Sequence, residues 1–177
     1  MDYIEERVDG KKVYEGIIVD VNLDHAKLVD GRIVKREVVD HPGGVGILPI
    51  DADLNCYMVK QYRYPMQSEM LEIPAGKLER GEDHKHCAVR ELSEETGFSA
   101  DNLYYYGKAA LSPGYSTELL HIYIATGLHE GEKHLDDGEF LNVYKYPLNQ
   151  LKDMVLKGEI SDAKTIIAIL VASNMYL

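Results

Sequence analysis

The segment Gly76–Phe98, GKLERGEDHKHCAVRELSEETGF, governs how the rest of the chain is read. From about Asp83 to Thr96 it has the pattern of a helix. Ala88 and Leu92 lie four apart, Val89 adds to the same apolar stripe, and Gly97 supplies a left-handed stop. On that helix Glu91, Glu94 and Glu95 stand at i, i+3 and i+4, so three carboxylates crowd one side. Like charges at this spacing repel by roughly a few tenths of a kcal/mol per pair in water, and by more where solvent is thin. A purely structural helix gains nothing from that repulsion, whereas a divalent cation removes it. Oxygen donors without Cys or His suit Mg²⁺ or Mn²⁺ better than Zn²⁺. The plain alternative is a solvated acidic face. Two features argue against it. Arg90 sits among the carboxylates and can hold them by bidentate hydrogen bonds. Gly76 and Gly81 bracket a short turn that brings backbone carbonyls and Glu82 towards the same ion.

The 177 residues form one domain with enough chain to bury a full core. A hydrophobic fraction of 45% and a charged fraction of 28% are those of a soluble globular protein. No apolar run approaches the roughly 18 residues of a membrane span, and the segment Met1–Glu6 has no signal-peptide pattern, so a cytoplasmic protein is expected. Cys56 and Cys87 then read as free thiols. The net charge of −11 excludes the basic footprint of a nucleic-acid binder. It also means that any phosphate chemistry requires cations and a few placed arginines to reverse the field locally. Thirteen tyrosines against two phenylalanines and no tryptophan suggest half-buried rings with polar tips.

Alternating β-formers between Lys12 and Val39, in YEGIIVDVNL and GRIVKREVVDH, predict a small antiparallel sheet. VGILPID and LNCYMVKQYRY follow as strands, and MLEIP leads into the Gly76 loop and the acidic helix. Residues 102–110 and 119–126 are two more strands, joined by LSPGYSTE. Residues 127–139 are polar and aperiodic, which predicts a long functional loop. FLNVYKY is a strand. Residues 148–157 and 162–173 are helices, the first after Pro147 and the second capped by Ser161 or Asp162.

Gly76, Glu82 and Arg90-Glu91-Leu92-Ser93-Glu94-Glu95-Thr96-Gly97-Phe98 match every defined position of G-x5-E-x7-R-E-U-x-E-E-x-G-U, where U is a bulky apolar residue. The pattern resembles the Nudix box. Seven fixed identities arise by chance at on the order of one start position in a hundred million. The resemblance implies an α+β fold, an α/β/α sandwich with a mixed sheet. Here the small antiparallel sheet precedes it, with residues 1–41 as N-terminal strands for dimerisation, of a kind that this branch exchanges between subunits, and 42–177 as the catalytic domain. It also implies hydrolysis of a nucleoside diphosphate linked to another group, by water attacking phosphorus. Glu91 and Glu95 match the principal metal positions, Glu94 a further ligand, and the carbonyl of Ala75 a position that often adds one. Glu82 and Arg90 match residues that orient the glutamates.

Three further features are similar to the ADP-ribose and nucleotide-sugar pyrophosphatase branch. VKQYRYP followed by LEIPAGK places Arg63 where an arginine reaches the substrate's diphosphate. SPGYS places Pro113 sixteen residues after Gly97, the marker of ADP-ribose hydrolases, with Glu118 beside it. The N-terminal strands place Arg36 near the terminal ribose or diphosphate. The general base in this branch comes from the loop after the box, which points to Glu139, with Asp137 and Asp136 as alternatives. His84 and His86, at i and i+2, face apart and are expected to be surface histidines. The resulting expectation is a homodimeric, Mg²⁺-dependent (Mn²⁺ as substitute) hydrolase of ADP-ribose that makes AMP and ribose 5-phosphate. Another nucleotide sugar such as GDP-mannose is the nearby alternative, and a non-catalytic nucleotide-sensing module is the alternative from another class.

Overall fold

The computed structural model describes residues 3–79, 81–135 and 140–177. The chain divides into two compact units, Met1–Gly43 with Ala110–Leu119, and Gly44–Ala109 with Leu120–Leu177.

The first unit holds an antiparallel sheet of β1 (Glu6–Glu15), β2 (Asp20–Lys27) and β3 (Ile33–Asp40). YEGIIVDVNL is not one strand, contrary to its alternation. Gly16 donates its N–H to the Val19 carbonyl at 3.1 Å and to the Asp20 carboxylate at 3.3 Å, turning the chain between β1 and β2. A β-carbon at Gly16 would lie 2.7 Å from that Val19 carbonyl, so the tight turn needs glycine. Among the described residues of this unit, Ala26 is the single buried hydrophobic side chain. Val8, Val13, Ile17 and Ile18 are exposed, and the strands are laced instead by Arg7–Asp24, Lys12–Asp20 and His25–Asp9 pairs. Residues 110–119 join β3. Val39 donates to the Tyr115 carbonyl at 2.7 Å, and Thr117 donates to the Val39 carbonyl at 3.0 Å.

The second unit is built on a mixed sheet in the order β10–β5–β4–β9–β8, with β6 on β5 and β7 on β4. The strands are β4 (Gly44–Ile50), β5 (Asn55–Arg63), β6 (Ser68–Glu72), β7 (Ala75–Lys77), β8 (Phe98–Ala110), β9 (Leu119–Glu130) and β10 (Leu141–Pro147). The β4–β9 pair is parallel. Every residue of β4 is buried, as expected for a strand covered on both faces. The two-residue period divides the core. Val45, Ile47, Tyr123 and Ala125 pack with Cys87, Ala88 and Leu92 of α1 (His84–Thr96). Leu48, Ile50, Ile122 and Ile124 pack with Leu148 and Leu151 of α2 (Leu148–Leu156) and Ala168, Ile169 and Ala172 of α3 (Ala163–Tyr176). Helices on both faces of a mixed sheet make the expected α/β/α sandwich.

α1 keeps its predicted limits because both ends are chemically capped. Asp83 accepts the Lys85 and His86 N–H groups, and Gly97, at φ 78°, donates to the Ser93 carbonyl at 2.8 Å. Its buried stripe differs from the expectation. Val89 is exposed, and Cys87, Ala88, Glu91, Leu92 and Glu95 face inward, because a residue one step from Ala88 is turned about 100° away from the sheet. Residues 127–130, expected to start a loop, continue β9. Among the described residues no helix is long and apolar enough to cross a membrane.

Gly97 is both left-handed and closely packed, since a β-carbon there would lie 3.0 Å from the Gly131 carbonyl; Gly158, also left-handed, has open space. In urea denaturation, Gly97→Ala is expected to cost about 2 kcal/mol or more, and Gly158→Ala about 1 kcal/mol. Equal losses would show that packing against Gly131 contributes nothing.

Candidate active site

The site begins with two carboxylates that folding takes out of water. Ala88 and Leu92 face the sheet, so residues three and four positions further along α1 turn inward with them. Glu91 is accordingly 8% exposed and Glu95 2%. The Glu95 carboxylate accepts the backbone N–H of Ala75 at 2.9 Å, which ties α1 to the first residue of β7. β7 in turn pairs with β4, Val45 opposite Gly76. Gly76 is where the two elements touch. A β-carbon on it would lie 1.8 Å from the Glu91 carboxyl carbon, so the missing side chain is the space that the carboxylate fills.

Arg90 is the hub of the cluster. Its Nη1 donates to Glu91 at 2.7 Å and to Glu94 at 2.9 Å, while Nε and Nη2 donate to the two oxygens of Glu82 at 3.2 and 3.3 Å. Glu82 also accepts the Glu79 N–H at 2.9 Å. The Arg90 hydrogen bonds, helped by that backbone N–H, hold the Glu82 carboxyl below its usual range. The same contacts raise the guanidinium further above its own. One cation thus sets the separation of three glutamates. Cys87 lies under it, with Sγ 3.4 Å from Nη2. Burial pushes that thiol up to about 12, so it is a neutral packing group and not a nucleophile.

A second ionic group stands behind Ala75. Glu72, 1% exposed at the end of β6, accepts Nε and Nη2 of Arg63 at 2.7 and 2.8 Å. The Lys164 ammonium donates to the same carboxylate and pairs with Asp162 at 3.0 Å. Burial pushes the Glu72 carboxyl up, but the Arg63 hydrogen bonds and the Lys164 charge outweigh it, and the group ends below its usual range. Arg63 also lies within electrostatic reach of Glu95. Sequence reasoning singled out Arg63 but neither Glu72 nor Lys164. The signal available for each was weak: a charge inside the apolar run MLEIP, and a lysine just after a helix cap.

The donor set suits a hard divalent cation. Glu91 and Glu95 offer buried carboxylate oxygens, Glu94 is half-buried beside them, and the Ala75 backbone is fastened to Glu95. Among the described residues no three carboxylate, imidazole or thiolate groups close into a ready cage. Two carboxylates are few protein ligands, and a hard divalent cation held by them would keep several waters.

The remaining predicted residues fall elsewhere. Glu139, Asp137 and Asp136 lie outside the described residues. Arg36, Pro113 and Glu118 belong to the first unit. Arg36 makes a two-point pair with Glu5 at 2.7 and 2.9 Å. Pro113 sits in a turn closed by the Tyr115 and Ser116 N–H groups on the Ser112 carbonyl. The Glu118 carboxylate is 3.7 Å from Nδ1 of His41, whose lone pair already accepts the Gly43 N–H. His84 is not the plain surface histidine expected. Its ring stacks on His121 at 4.0 Å, and its Nδ1 is 2.5 Å from the Tyr123 hydroxyl, because β9 brings both rings to the start of α1.

Comparison with known proteins gives the family and the fold. The model of the NUDIX domain matches residues 40–168. An ADP-ribose pyrophosphatase of Bacillus subtilis is 38% identical over 172 residues, covering 96% of this chain and 93% of the relative. A methanol dehydrogenase activator of Bacillus methanolicus is 37% identical over 167 residues, covering 93% and 90%. The crystal structure of an ADP compounds hydrolase superposes with a TM-score of 0.84 at 22% identity, over 97% of this chain and 93% of that one, and so shares the fold. With its box complete and its Arg90-bound glutamates seated against a glycine turn, the chain belongs to the NUDIX domain family.

Proposed function

We propose that this protein hydrolyses ADP-ribose to AMP and ribose 5-phosphate. The observation that carries the reading is the pairing of Arg90 and its glutamates with a second, partly exposed arginine, Arg63, near Glu95. Similarity to a pyrophosphatase named for ADP-ribose, over nearly the whole length of both chains, supports the substrate. Water adds to one phosphorus, the bridging P–O bond breaks, and the water's proton passes to a carboxylate, which balances the two products. Glu91, Glu95 and the Ala75 carbonyl, with Glu94 at the edge, would hold a divalent cation, Mg²⁺ or Mn²⁺, which would supply charge neutralisation and a more acidic water. Arg90 fixes the glutamates, and Arg63 meets the diphosphate oxygens. Glu139 takes the proton, with Asp137 or Asp136 as its alternatives; this role and the substrate-binding roles of Arg36, Pro113 and Glu118 rest on resemblance to the ADP-ribose branch. We place the enzyme in the cytoplasm, where the free thiols of Cys56 and Cys87 stay reduced.

We also propose a homodimer. The support is a three-stranded sheet whose single buried hydrophobe is Ala26 while Val13, Ile17 and Ile18 stay in water. A second copy of the chain would cover them.

The deciding experiment is a hydrolysis screen with Mg²⁺ across ADP-ribose, ADP-glucose, GDP-mannose, NADH and the dNTPs. AMP and ribose 5-phosphate in equal amounts from ADP-ribose are expected; faster turnover of GDP-mannose would keep the chemistry and overturn the substrate. Glu95→Gln is expected to lower kcat by more than about 100-fold while ADP-ribose binding survives. Undiminished turnover would remove Glu95 from the metal site.

Gly76→Ala forces a β-carbon into the Glu91 carboxylate. Its Mg²⁺ requirement is expected to rise about 10- to 100-fold with ADP-ribose as substrate. An unchanged Mg²⁺ titration would mean that Glu91 does not depend on that cradle. Sedimentation is expected to show a species of twice the 20.0 kDa chain mass, and Ile17→Asp with Ile18→Asp to yield monomer. A monomeric wild type would dispose of the dimer.

A further inference from the structure

The start of α3 grips the strand that leads into the site. Thr165 accepts the Ile73 N–H on its hydroxyl at 2.9 Å and donates that hydroxyl to Asp162 at 2.5 Å. One residue earlier in α3, Lys164 reaches the carboxylate of Glu72. Glu72 and Ile73 are therefore both fastened from behind, three and two residues before Ala75, whose N–H holds Glu95.

The group has a buried end and an exposed end. Lys164 has a side chain only 9% exposed, while the Arg63 side chain is 39% exposed. A single arginine already satisfies both oxygens of Glu72. Burying a second cation on the same carboxylate costs desolvation free energy, so stability alone gives no reason for it. The consequence lies in the charge. Without Lys164, Arg63 would face both Glu72 and Asp162, one cation against two carboxylates. With it, two cations meet two carboxylates and the group is neutral, with Asp162 meeting the ammonium at the buried end while Arg63 keeps the exposed one. In a chain of net charge −11, with Glu95 nearby, that difference sets how strongly the group repels an approaching anion.

We infer that Lys164 is a positioning residue for the substrate's diphosphate, acting through Glu72 to hold Arg63 in one orientation. This rests on the proposed contact between Arg63 and the diphosphate. Catalysis itself does not pass through Lys164, so the signature is in KM and not in kcat.

The test is a double-mutant cycle with ADP-ribose at saturating Mg²⁺. Lys164→Gln is expected to raise KM about tenfold, a coupling within the ordinary range for one ion-pair network, with kcat changed less than about threefold. Lys164→Arg, which keeps the charge, is expected to restore most of the loss. In an Arg63→Gln background, Lys164→Gln is expected to add less than about twofold. The same KM change with and without Arg63, a fall in kcat at constant KM, or no change where Arg63→Gln raises KM would each overturn the inference. If Arg63→Gln itself leaves KM unaltered, the contact between Arg63 and the diphosphate is wrong, and the inference falls with it. A second measurement holds even where Lys164→Gln does not fold. In the wild type, the Arg63 Nε–H resonance, assigned by its loss in Arg63→Gln, is expected to be protected from exchange and to shift on addition of ADP-ribose. A resonance that exchanges like a solvent-exposed arginine would refute the clamp.

Discussion

Burying Glu91 and Glu95 is the constraint to which the rest of the catalytic unit answers. A carboxylate taken out of water costs several kcal/mol unless charge and hydrogen bonds replace its hydration. The replacements come from three directions. Arg90 supplies a cation to Glu91 from the same helix, the Ala75 N–H supplies a donor to Glu95 from β7, and Gly76 leaves room for the Glu91 carboxylate against bare backbone. Each works only if α1 and β7 are held at fixed separation. The caps at Asp83 and Gly97 and the pairing of β7 with β4 provide that.

Charge is distributed with the same economy. A chain of net charge −11 accepts an anionic substrate most easily where cations offset the carboxylates locally. Arg90 cannot be that place, since Glu82, Glu91 and Glu94 share its donors. Around Glu72 the charges balance: Arg63 and Lys164 meet Glu72 and Asp162, and the group is neutral. The first group favours a metal ion and the second tolerates an anion, and the short link from Glu72 to Ala75 sets them side by side in the chain.

The two units follow different physics. The α/β/α unit has an apolar core on each face of its sheet. The N-terminal sheet has Ala26 as its single buried hydrophobe and is laced by exposed ion pairs. Such pairs contribute little in water, so that sheet gains its stability from backbone pairing and from whatever surface covers it.

The limits of α1, the row of acidic residues along it, the glycine that opens the site and the alternation of the strands are legible in the chain alone. These features depend on periods of two and 3.6 residues and on caps a few residues away, so they are written locally. Tertiary structure alone decided that Glu72 meets Lys164 across 92 positions, that Glu91 rests on the Gly76 backbone, and that His84 stacks on His121. It also decided that Val89 faces water and that β9 runs on to Glu130. The reason is common to all of them. A helical or strand pattern names a face, but which distant group meets that face depends on sheet register and on the angle at which each helix crosses it, and no local spacing carries that information.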